Sequence, residues 1–285
     1  MLLSGRTRLL GVIGHPIAHS LSPPMHNAAF AVDRKDAGEA EYVYVAMDVR
    51  SERLPDAVAG LSALGFVGFN VTMPHKEAVL PLVDELDETA RLAGAVNTVV
   101  IGKGGSLRGL NTDGSGFVEA CGEAEVSFAG RRVLILGAGG AAAAIAVAVL
   151  GEGASWLCIA NRTGWRAGEL RAKLSEVALG AEVLTCAIDE VGGVMEKVEV
   201  LINATYLGMK EGDPLPFPAG SLSAEKIVCD VVYLAGRETE LIRWAREAGA
   251  RVVPGGRMLL YQGVQAQRVW TGREPDVEVM SNALT

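Results

Sequence analysis

Several things are scarce in this chain of 285 residues, and each scarcity closes off a class of function. Cysteine occurs four times, at Cys121, Cys158, Cys186 and Cys229, too far apart to form the short ligand spacings of a metal site. Cys158 and Cys229 lie in apolar, strand-like runs and read as small core residues. The four histidines all fall within the first 75 residues, so no zinc pattern assembles and no metal is expected. Positive charge is in deficit: 26 lysines and arginines against 34 aspartates and glutamates leave a net charge of −8, which argues against a nucleic-acid partner. Aromatic residues amount to only 5%. No apolar run is both long enough and free of glycine turns to span a membrane, and the start MLLSGRTRLLGVIG lacks the sustained apolar region of a signal peptide. The expected setting is therefore a reducing cytoplasm. Repeats, heptads and low-complexity tails are absent as well.

What is present is a chain 49% hydrophobic with 35 glycines, enough for two α/β domains with real cores. Residues 132–150, RVLILGAGGAAAAIAVAVL, organise it. Val133 to Leu136 run without alternation, as in a strand covered on both faces; Gly137-Ala138-Gly139-Gly140 permits a tight turn; Ala141 to Leu150 reads as a helix. The first glycine lets the chain reverse, the second lets a pyrophosphate approach, and Ala142 replaces the third glycine of the G-x-G-x-x-G form, an allowed variant. The turn suits a dinucleotide; a tight apolar turn or a methyl-donor nucleoside fold would share it.

The next strand, Ser155 to Ala160, narrows the choice. Where a free ribose 2′-hydroxyl would meet a carboxylate, this chain offers Asn161, Arg162 and Thr163, with Arg166 one turn later. Guanidiniums and a hydroxyl suit a 2′-phosphate, so the expected cofactor is NADP rather than NAD. The plainer reading of Arg162 and Arg166 is a solvated helix start.

The first part of the chain alternates strands and helices. RLLGVI, residues 8–13, is a strand leading into a loop with Ser20 and Ser22, which offer hydroxyls to an anion or merely cap the helix that follows. His15, His19 and His26 read as polar loop residues without an acid or base role. A strand over 42–49, a helix in SERLPDAVAGLSALG and a strand over 66–71 follow. Thr72-Met73-Pro74-His75-Lys76 is expected to turn into a helix, which puts Lys76 where an open sheet places its ligands; a surface lysine is the alternative. DELDETARLAG reads as a short helix, AVNTVVI as a strand carrying Asn97, and Gly102 to Gly105 as a reversal that returns the chain to Asp113. GSGFVEACGEA then starts a connecting helix.

After Gly137, strands and helices repeat through SWLCIANR, WRAGELRAKLSEVA, AEVLTC, VEVLINATYLG, EKIVCDVVYL, RETELIRWAREAG and ARVVPGG. Lys210 to Gly220, with three prolines, is expected as a loop over the cofactor face. RMLLYQGVQAQRVWTGR and VEVMSNALT suit helices that pack back on the first domain. Ser20, Ser22, Thr72, Lys76, Asn97 and Asp113 each lie at or beyond a strand end of that domain, so one surface there offers hydroxyls, amides, an ammonium and a carboxylate to a polyhydroxylated acid. Lys76 would stabilise a developing alkoxide and protonate it, with Asp113 orienting it or binding a substrate hydroxyl.

Taken together, GHPIAHSLSPPMHNAAF, GFNVTMPHKEAV, AGAVNTVV, GLNTDGSGF, LILGAGGAA, ANRT, INATYLGM and GGRMLLYQG resemble the shikimate dehydrogenases over nearly the whole chain. The resemblance implies a two-domain α/β fold: residues 1–113 and 256–285 as a substrate-binding catalytic domain, residues 114–255 as a Rossmann-type NADP-binding domain, and C-terminal helices returning to the first. It implies NADPH-dependent, reversible reduction of 3-dehydroshikimate to shikimate in the chorismate and aromatic amino acid route. By that likeness Ser20 and Ser22 hold the substrate carboxylate; Thr72, Asn97, Asp113 and Gln262 bind ring hydroxyls; Lys76 and Asp113 are the catalytic pair. Gly137, Ala138, Gly139, Gly140 and Ala141 would cradle the pyrophosphate, and Asn161, Arg162, Thr163 and Arg166 the 2′-phosphate. Val231 and Gly255 would line the nicotinamide end, with Tyr233 reaching the substrate.

One stretch departs from the family pattern: Tyr233-Leu234-Ala235-Gly236-Arg237-Glu238-Thr239 has one residue more than usual between tyrosine and threonine and lacks the proline. Two other readings stand beside the leading one, a quinate/shikimate dehydrogenase of broad specificity and a cofactor-binding sensor that needs neither Lys76 nor Asp113. The expected partners are a small-molecule substrate, with no nucleic acid and no membrane, and a homodimer is left open.

Overall fold

The computed structural model describes residues 3–32, 41–210 and 212–284. Two compact units emerge, Met1–Thr112 with Gln262–Thr285, and Asp113–Tyr261.

The first unit is built on a six-stranded sheet. Its strands are β1 (Arg8–Gly14), β2 (Tyr42–Asp48), β3 (Gly68–Val71), β4 (Glu85–Leu86), β5 (Thr98–Ile101) and β6 (Leu107–Leu110), in the order β2-β1-β3-β5-β6-β4. β1 runs parallel to β2 and β3, whereas β5 is antiparallel to β3 and forms a hairpin with β6. Because side chains alternate along a strand, Leu10 and Val12 of β1 enter one apolar layer and Ile13 the other. One layer packs beneath α1 (Ser22–Val32), the other beneath α2 (Leu54–Ala63). α3 (Glu88–Ala93) begins where Asp87 Oδ1 accepts the Ala90 N–H at 2.8 Å.

The expected helix after Lys76 does not form, and the helix expected from Asp84 starts only at Glu88. Residues 76–83 instead make successive turns, with Val79 N–H to His75 O and Leu82 N–H to Val79 O both at 2.9 Å. Pro81 explains part of this: it has no amide hydrogen to give and its ring would collide with the carbonyl four residues back in a continuing helix. The sheet edge takes the rest. Asp84 N–H bonds Leu107 O at 2.8 Å, Asp84 Oδ2 accepts from Leu107 N–H at 2.7 Å, and Glu85–Leu86 pair with β6.

The second unit holds a parallel six-stranded sheet: β7 (Arg132–Leu136), β8 (Trp156–Asn161), β9 (Glu182–Ala187), β10 (Val200–Asn203), β11 (Ile227–Asp230) and β12 (Arg251–Val253). Their order is β12-β11-β10-β7-β8-β9. The chain moves outward from β7 in one direction through β8 and β9, then returns to β10 on its other side. That makes the C-terminal edge of β7 a topological switch point, where such sheets bind ligands. Val133 to Leu136 are fully buried, as the unalternating sequence requires of a strand covered on both faces. The helices of this unit are α4 (Asp113–Glu123), α5 (Gly140–Gly151), α6 (Gly164–Leu174), the single turn α7 (Val191–Val194) and α8 (Glu240–Glu247).

α9 (Gly255–Thr271) starts in the second unit and ends in the first, where Trp270 Nε1–H donates to Val99 O at 3.0 Å. α10 (Val277–Asn282) packs against α1. Among the described residues no helix is long and apolar enough to cross a membrane, and no cluster of three metal-ligating side chains occurs.

Candidate active site

The turn between β7 and α5 has the geometry its glycines predict. Gly137 sits at φ +108°, and a Cβ there would stand 2.7 Å from the Ala204 carbonyl oxygen, so only glycine fits. Gly139 is the N-cap of α5 with no side chain to cap the helix, and the space where its Cβ would point is open. The first turn of α5 has no acidic residue, so the unpaired amides from Gly140 and Ala141 keep their positive character. This is a cradle fitted to a pyrophosphate. Ala142, in the place of the third glycine, is fully buried.

At the end of β8, Asn161 Nδ2 donates to Thr163 O at 2.9 Å and closes a tight turn into α6. Arg162 and Arg166 are exposed, and no carboxylate stands between residues 161 and 166. The Arg166 guanidinium lies over the Trp165 ring, 5.6 Å from its centroid, although Trp165 is 63% exposed. Two guanidiniums at the end of β8, with no carboxylate among residues 161–166, suit a phosphate monoester on a ribose. In the sequence, Trp165 is not distinguishable from any other aromatic on a helix.

In the first unit, strand ends are laced together by backbone bonds. Thr72 N–H reaches Ile13 O at 2.9 Å, Val96 N–H reaches Lys76 O at 2.8 Å, and Asn97 N–H reaches Leu110 O at 3.1 Å. The turn carrying half-buried Lys76 is thus pinned beside Asn97. The buried Asn97 amide is held in turn: its Oδ1 accepts from Thr98 Oγ1 and from Thr112 N–H, both at 2.9 Å, and its Nδ2 donates to Thr112 Oγ1 at 3.0 Å. Thr112 Oγ1 also reaches Gln262 O at 3.1 Å, which brings the start of the returning segment of α9 to the same place. Asp113, buried, follows Thr112 directly and opens α4.

Asn70, Tyr44 and Thr98 underpin this arrangement; Thr98 stands beside Asn97 in the expected strand, whereas nothing in the sequence points to Asn70 or Tyr44. Asn70 accepts from the Tyr44 hydroxyl at 2.6 Å and donates to Asn97 O and Thr98 Oγ1, each at 3.0 Å. An asparagine between Phe69 and Val71 gives no local sign that its partners lie on other strands. Ser20 performs the turn chemistry foreseen for it, since its Oγ accepts from Ser22 N–H at 3.3 Å where α1 begins.

The histidines need correction. His26 is no loop residue: it lies in α1, fully buried, stacked 4.3 Å from Tyr44 with its Nδ1–H donating to Gln267 Oε1 at 3.0 Å. Burial disfavours its charged form and holds its pKa at about 4, against a partial upward pull from Gln267. His75 is buried too, with Nε2–H donating to Val49 O at 2.6 Å, so it ties the Lys76 turn to the end of β2. His15 is exposed and pairs with Asp48 at 2.8 Å.

Beyond β11, Val231 N–H bonds Asn203 O at 2.9 Å. A Cβ on Gly255 would run into the Val232 and Val231 carbonyls, so the start of α9 abuts the end of β11. The extra residue after Tyr233 is absorbed locally: Leu234 and Arg237 bridge across a turn whose third residue, Gly236, lies at φ +67°. Thr239 still caps α8, accepting the Ile242 N–H at 3.4 Å. Tyr233 is half-buried, and burial pushes its phenol above the ordinary range. Of the loop Lys210 to Gly220, Glu211 lies outside the described residues; nearby, Asp213 Oδ2 accepts from Gly208 N–H and Lys210 N–H.

Comparison with known proteins shows the family. Residues 12–99 match the family model described as the shikimate dehydrogenase substrate binding domain, residues 120–208 that of shikimate / quinate 5-dehydrogenase, and residues 255–285 that of the shikimate 5′-dehydrogenase C-terminal domain. A protein of Rubrobacter xylanophilus named shikimate dehydrogenase (NADP(+)) is 56% identical over 99% of this chain and 97% of its own. The solved shikimate 5-dehydrogenase of Thermus thermophilus, in complex with NADP(H) and shikimate, superposes with a TM-score of 0.83 at 34% identity, covering 97% of this chain and 98% of that one. The quinate dehydrogenase of Corynebacterium glutamicum, in complex with NAD, superposes with a TM-score of 0.86 at 36% identity over 97% and 98% of the two chains.

Proposed function

The chain belongs to the shikimate dehydrogenase family, and from that premise we propose that Lys76 and Asp113 are the catalytic pair of an NADP-dependent reduction of 3-dehydroshikimate to shikimate. The protein is an oxidoreductase that runs this step reversibly, in the route to chorismate and the aromatic amino acids. The single observation that carries the site reading is the locked array of Asn97, Thr112 and Gln262 beside the pinned Lys76 turn. An array held by hydrogen bonds on each side loses little entropy when a polyhydroxylated acid binds.

In this reading residues 1–113 and 256–285 bind substrate and residues 114–255 bind NADP. Ser20 and Ser22 hold the carboxylate, and Thr72, Asn97, Asp113, Tyr233 and Gln262 bind the ring oxygens. Gly137 to Ala141 receive the pyrophosphate, Asn161, Arg162, Thr163 and Arg166 the 2′-phosphate, while Val231 and Gly255 line the nicotinamide end. The chemistry NADP supplies when bound is hydride exchange with the carbinol carbon of the substrate. In the reductive direction the Lys76 ammonium hydrogen-bonds the carbonyl oxygen, stabilises the negative charge that grows there and delivers a proton to it. Asp113 holds that ammonium on target, and in the oxidative direction Lys76 takes the proton back.

The finer proposals are a homodimer and a cytoplasmic setting; sedimentation velocity at micromolar concentration tests the first, and fractionation of the source cells the second. The decisive experiment on activity compares oxidation of shikimate and quinate, each with NADP and with NAD. Shikimate with NADP is expected to be the best pair. Comparable turnover of quinate with NAD would move the protein to the broad-specificity reading, and cofactor binding without any turnover would make it a sensor.

A further inference from the structure

Asp230 ends β11 with its carboxylate 2% exposed, and no lysine or arginine pairs with it among the described residues. Hydrogen bonds from three segments hold it instead. Asn203 Nδ2 of β10 donates to Oδ1 at 2.9 Å, Val232 N–H donates to the same oxygen at 3.0 Å, and Thr239 Oγ1, at the cap of α8, donates to Oδ2 at 2.6 Å. Each donor governs a loop. Asn203 uses its whole amide: Nδ2 also donates to Leu207 O at 2.9 Å, while Oδ1 accepts from Thr205 N–H at 3.1 Å and from Thr205 Oγ1 at 2.6 Å. The segment 204–208 is thereby folded around Asn203. Val232 and Thr239 are the two ends of the loop that carries Tyr233, and the carbonyls of Val231 and Val232 are the atoms against which Gly255 abuts.

We infer that Asp230 is a positioning residue for the hydride step: through Asn203, Val232 and Thr239 it sets the segment 204–208, whose Ala204 carbonyl abuts Gly137, against the loop that follows Val231 and presents Tyr233. The inference rests on the reading above of Val231, Gly255 and Tyr233. Two features separate this from a plain loop tie. The bridge between Asn203 and Asp230 joins the loop after β10 to the loop after β11, so it bears on their mutual placement. Burial also raises the carboxylate's pKa to about 6 against the pull of its three donors, so the three bonds are held at the cost of a buried acid. The extra residue between Tyr233 and Thr239 fits the same account, because the Leu234 to Arg237 turn takes up the length and leaves Thr239 on Asp230.

The test is a set of three variants, Asp230→Ala, Asp230→Asn and Thr239→Val, measured per folded enzyme with shikimate and NADP, beside the dissociation constant for 2′,5′-ADP, which occupies only the adenosine side. Asp230→Ala is expected to lower kcat by 10- to 100-fold and raise the shikimate KM, with 2′,5′-ADP binding within twofold of the parent. Asp230→Asn keeps an acceptor for Asn203 and Val232 and turns its amide toward the Thr239 hydroxyl, so it should recover kcat to within about fivefold of the parent. Thr239→Val removes the bond to Asp230 Oδ2 together with the cap on the Ile242 N–H, and should lower kcat severalfold even if Asp230→Ala does not fold. A kcat within threefold of the parent for Asp230→Ala, or for Thr239→Val where the alanine variant fails to fold, overturns the inference. So does a parallel loss of 2′,5′-ADP binding, which would mark general damage to the unit. Failure of the underlying reading looks different: the parent itself would not oxidise shikimate with NADP.

Discussion

Gly114→Ala is the smallest change that should disturb both halves of the chemistry. Gly114 follows Asp113 in the first turn of α4, and α4 packs directly on α5, whose N-terminus is the proposed pyrophosphate cradle. A Cβ at position 114 would stand 2.5 Å from the Ala144 carbonyl oxygen, 3.1 Å from the Ala148 Cβ and 3.2 Å from the Ala144 carbonyl carbon. The nearest atoms are helix backbone, which cannot rotate aside. Restoring an ordinary contact near 3.4 Å therefore moves the helices apart by roughly 1 Å. Overpacking of this kind costs about 1–3 kcal/mol, which in a unit of this size lowers Tm by several degrees. A displacement of about 1 Å in a catalytic group costs up to about 10²-fold in rate, so kcat should fall between tenfold and a hundredfold. Gly122→Ala is the control: it lies on the same helix with nothing within 4 Å of the new Cβ, so it should stabilise α4 by about 0.5–1 kcal/mol and leave kcat alone. Thermal unfolding and steady-state kinetics on both variants decide the matter. If Gly114→Ala matches Gly122→Ala in Tm and kcat, the α4 to α5 contact does not set the position of Asp113.

Three further outcomes are expected. Lys76→Ala should lower kcat for shikimate oxidation by about 10²–10⁴-fold with little change in cofactor binding, and turnover within threefold of the parent would remove this lysine from the mechanism. Arg162→Ala should weaken NADP binding by roughly tenfold or more and leave NAD unaffected, since only the 2′-phosphate is lost as a partner; equal kcat/KM for the two cofactors in the parent would sink the assignment. His26 makes stability depend on pH: its folded pKa of about 4 lies below the ordinary 6.5, so the unfolded chain binds a proton that the folded one refuses. The stability this contributes is whole above pH 6.5 and is lost as pH falls toward 4, about 2 kcal/mol by pH 5 and about 3 kcal/mol in full. Urea unfolding at pH 7.5 and pH 5 should find His26→Leu about 2 kcal/mol less acid-sensitive than the parent, the opposing gain from Asp230 being common to both; the same change with pH in the two proteins refutes the account.

Most of the order of strands and helices, the glycine turn and the place of the arginines at the end of β8 are legible in the sequence because their causes are local. An unalternating apolar run from Val133 to Leu136 has one economical burial, Gly137 needs a φ that other residues avoid, and Arg162 follows its strand by chain geometry alone. Contiguous motifs place the candidate site residues for the same reason. Features whose cause lies far along the chain are not legible in this way. Local pattern favours a helix after Lys76, but the missing amide of Pro81 ends it and the open edge of β6 draws Glu85 and Leu86 into a short strand instead. His26 looks polar and loop-like because nothing near it announces that α9 brings Gln267 and Trp270 over it. Nothing near Asn70 or Asp230 in the sequence shows which strands their hydrogen-bond partners come from. A hydrogen bond's value depends on the partner's position and on the exclusion of water, and for these residues the partners come from other strands and helices. Only the folded chain brings Thr112 to Gln262, 150 residues apart, or Asn203 to Asp230, and makes their polar groups satisfy one another out of reach of water.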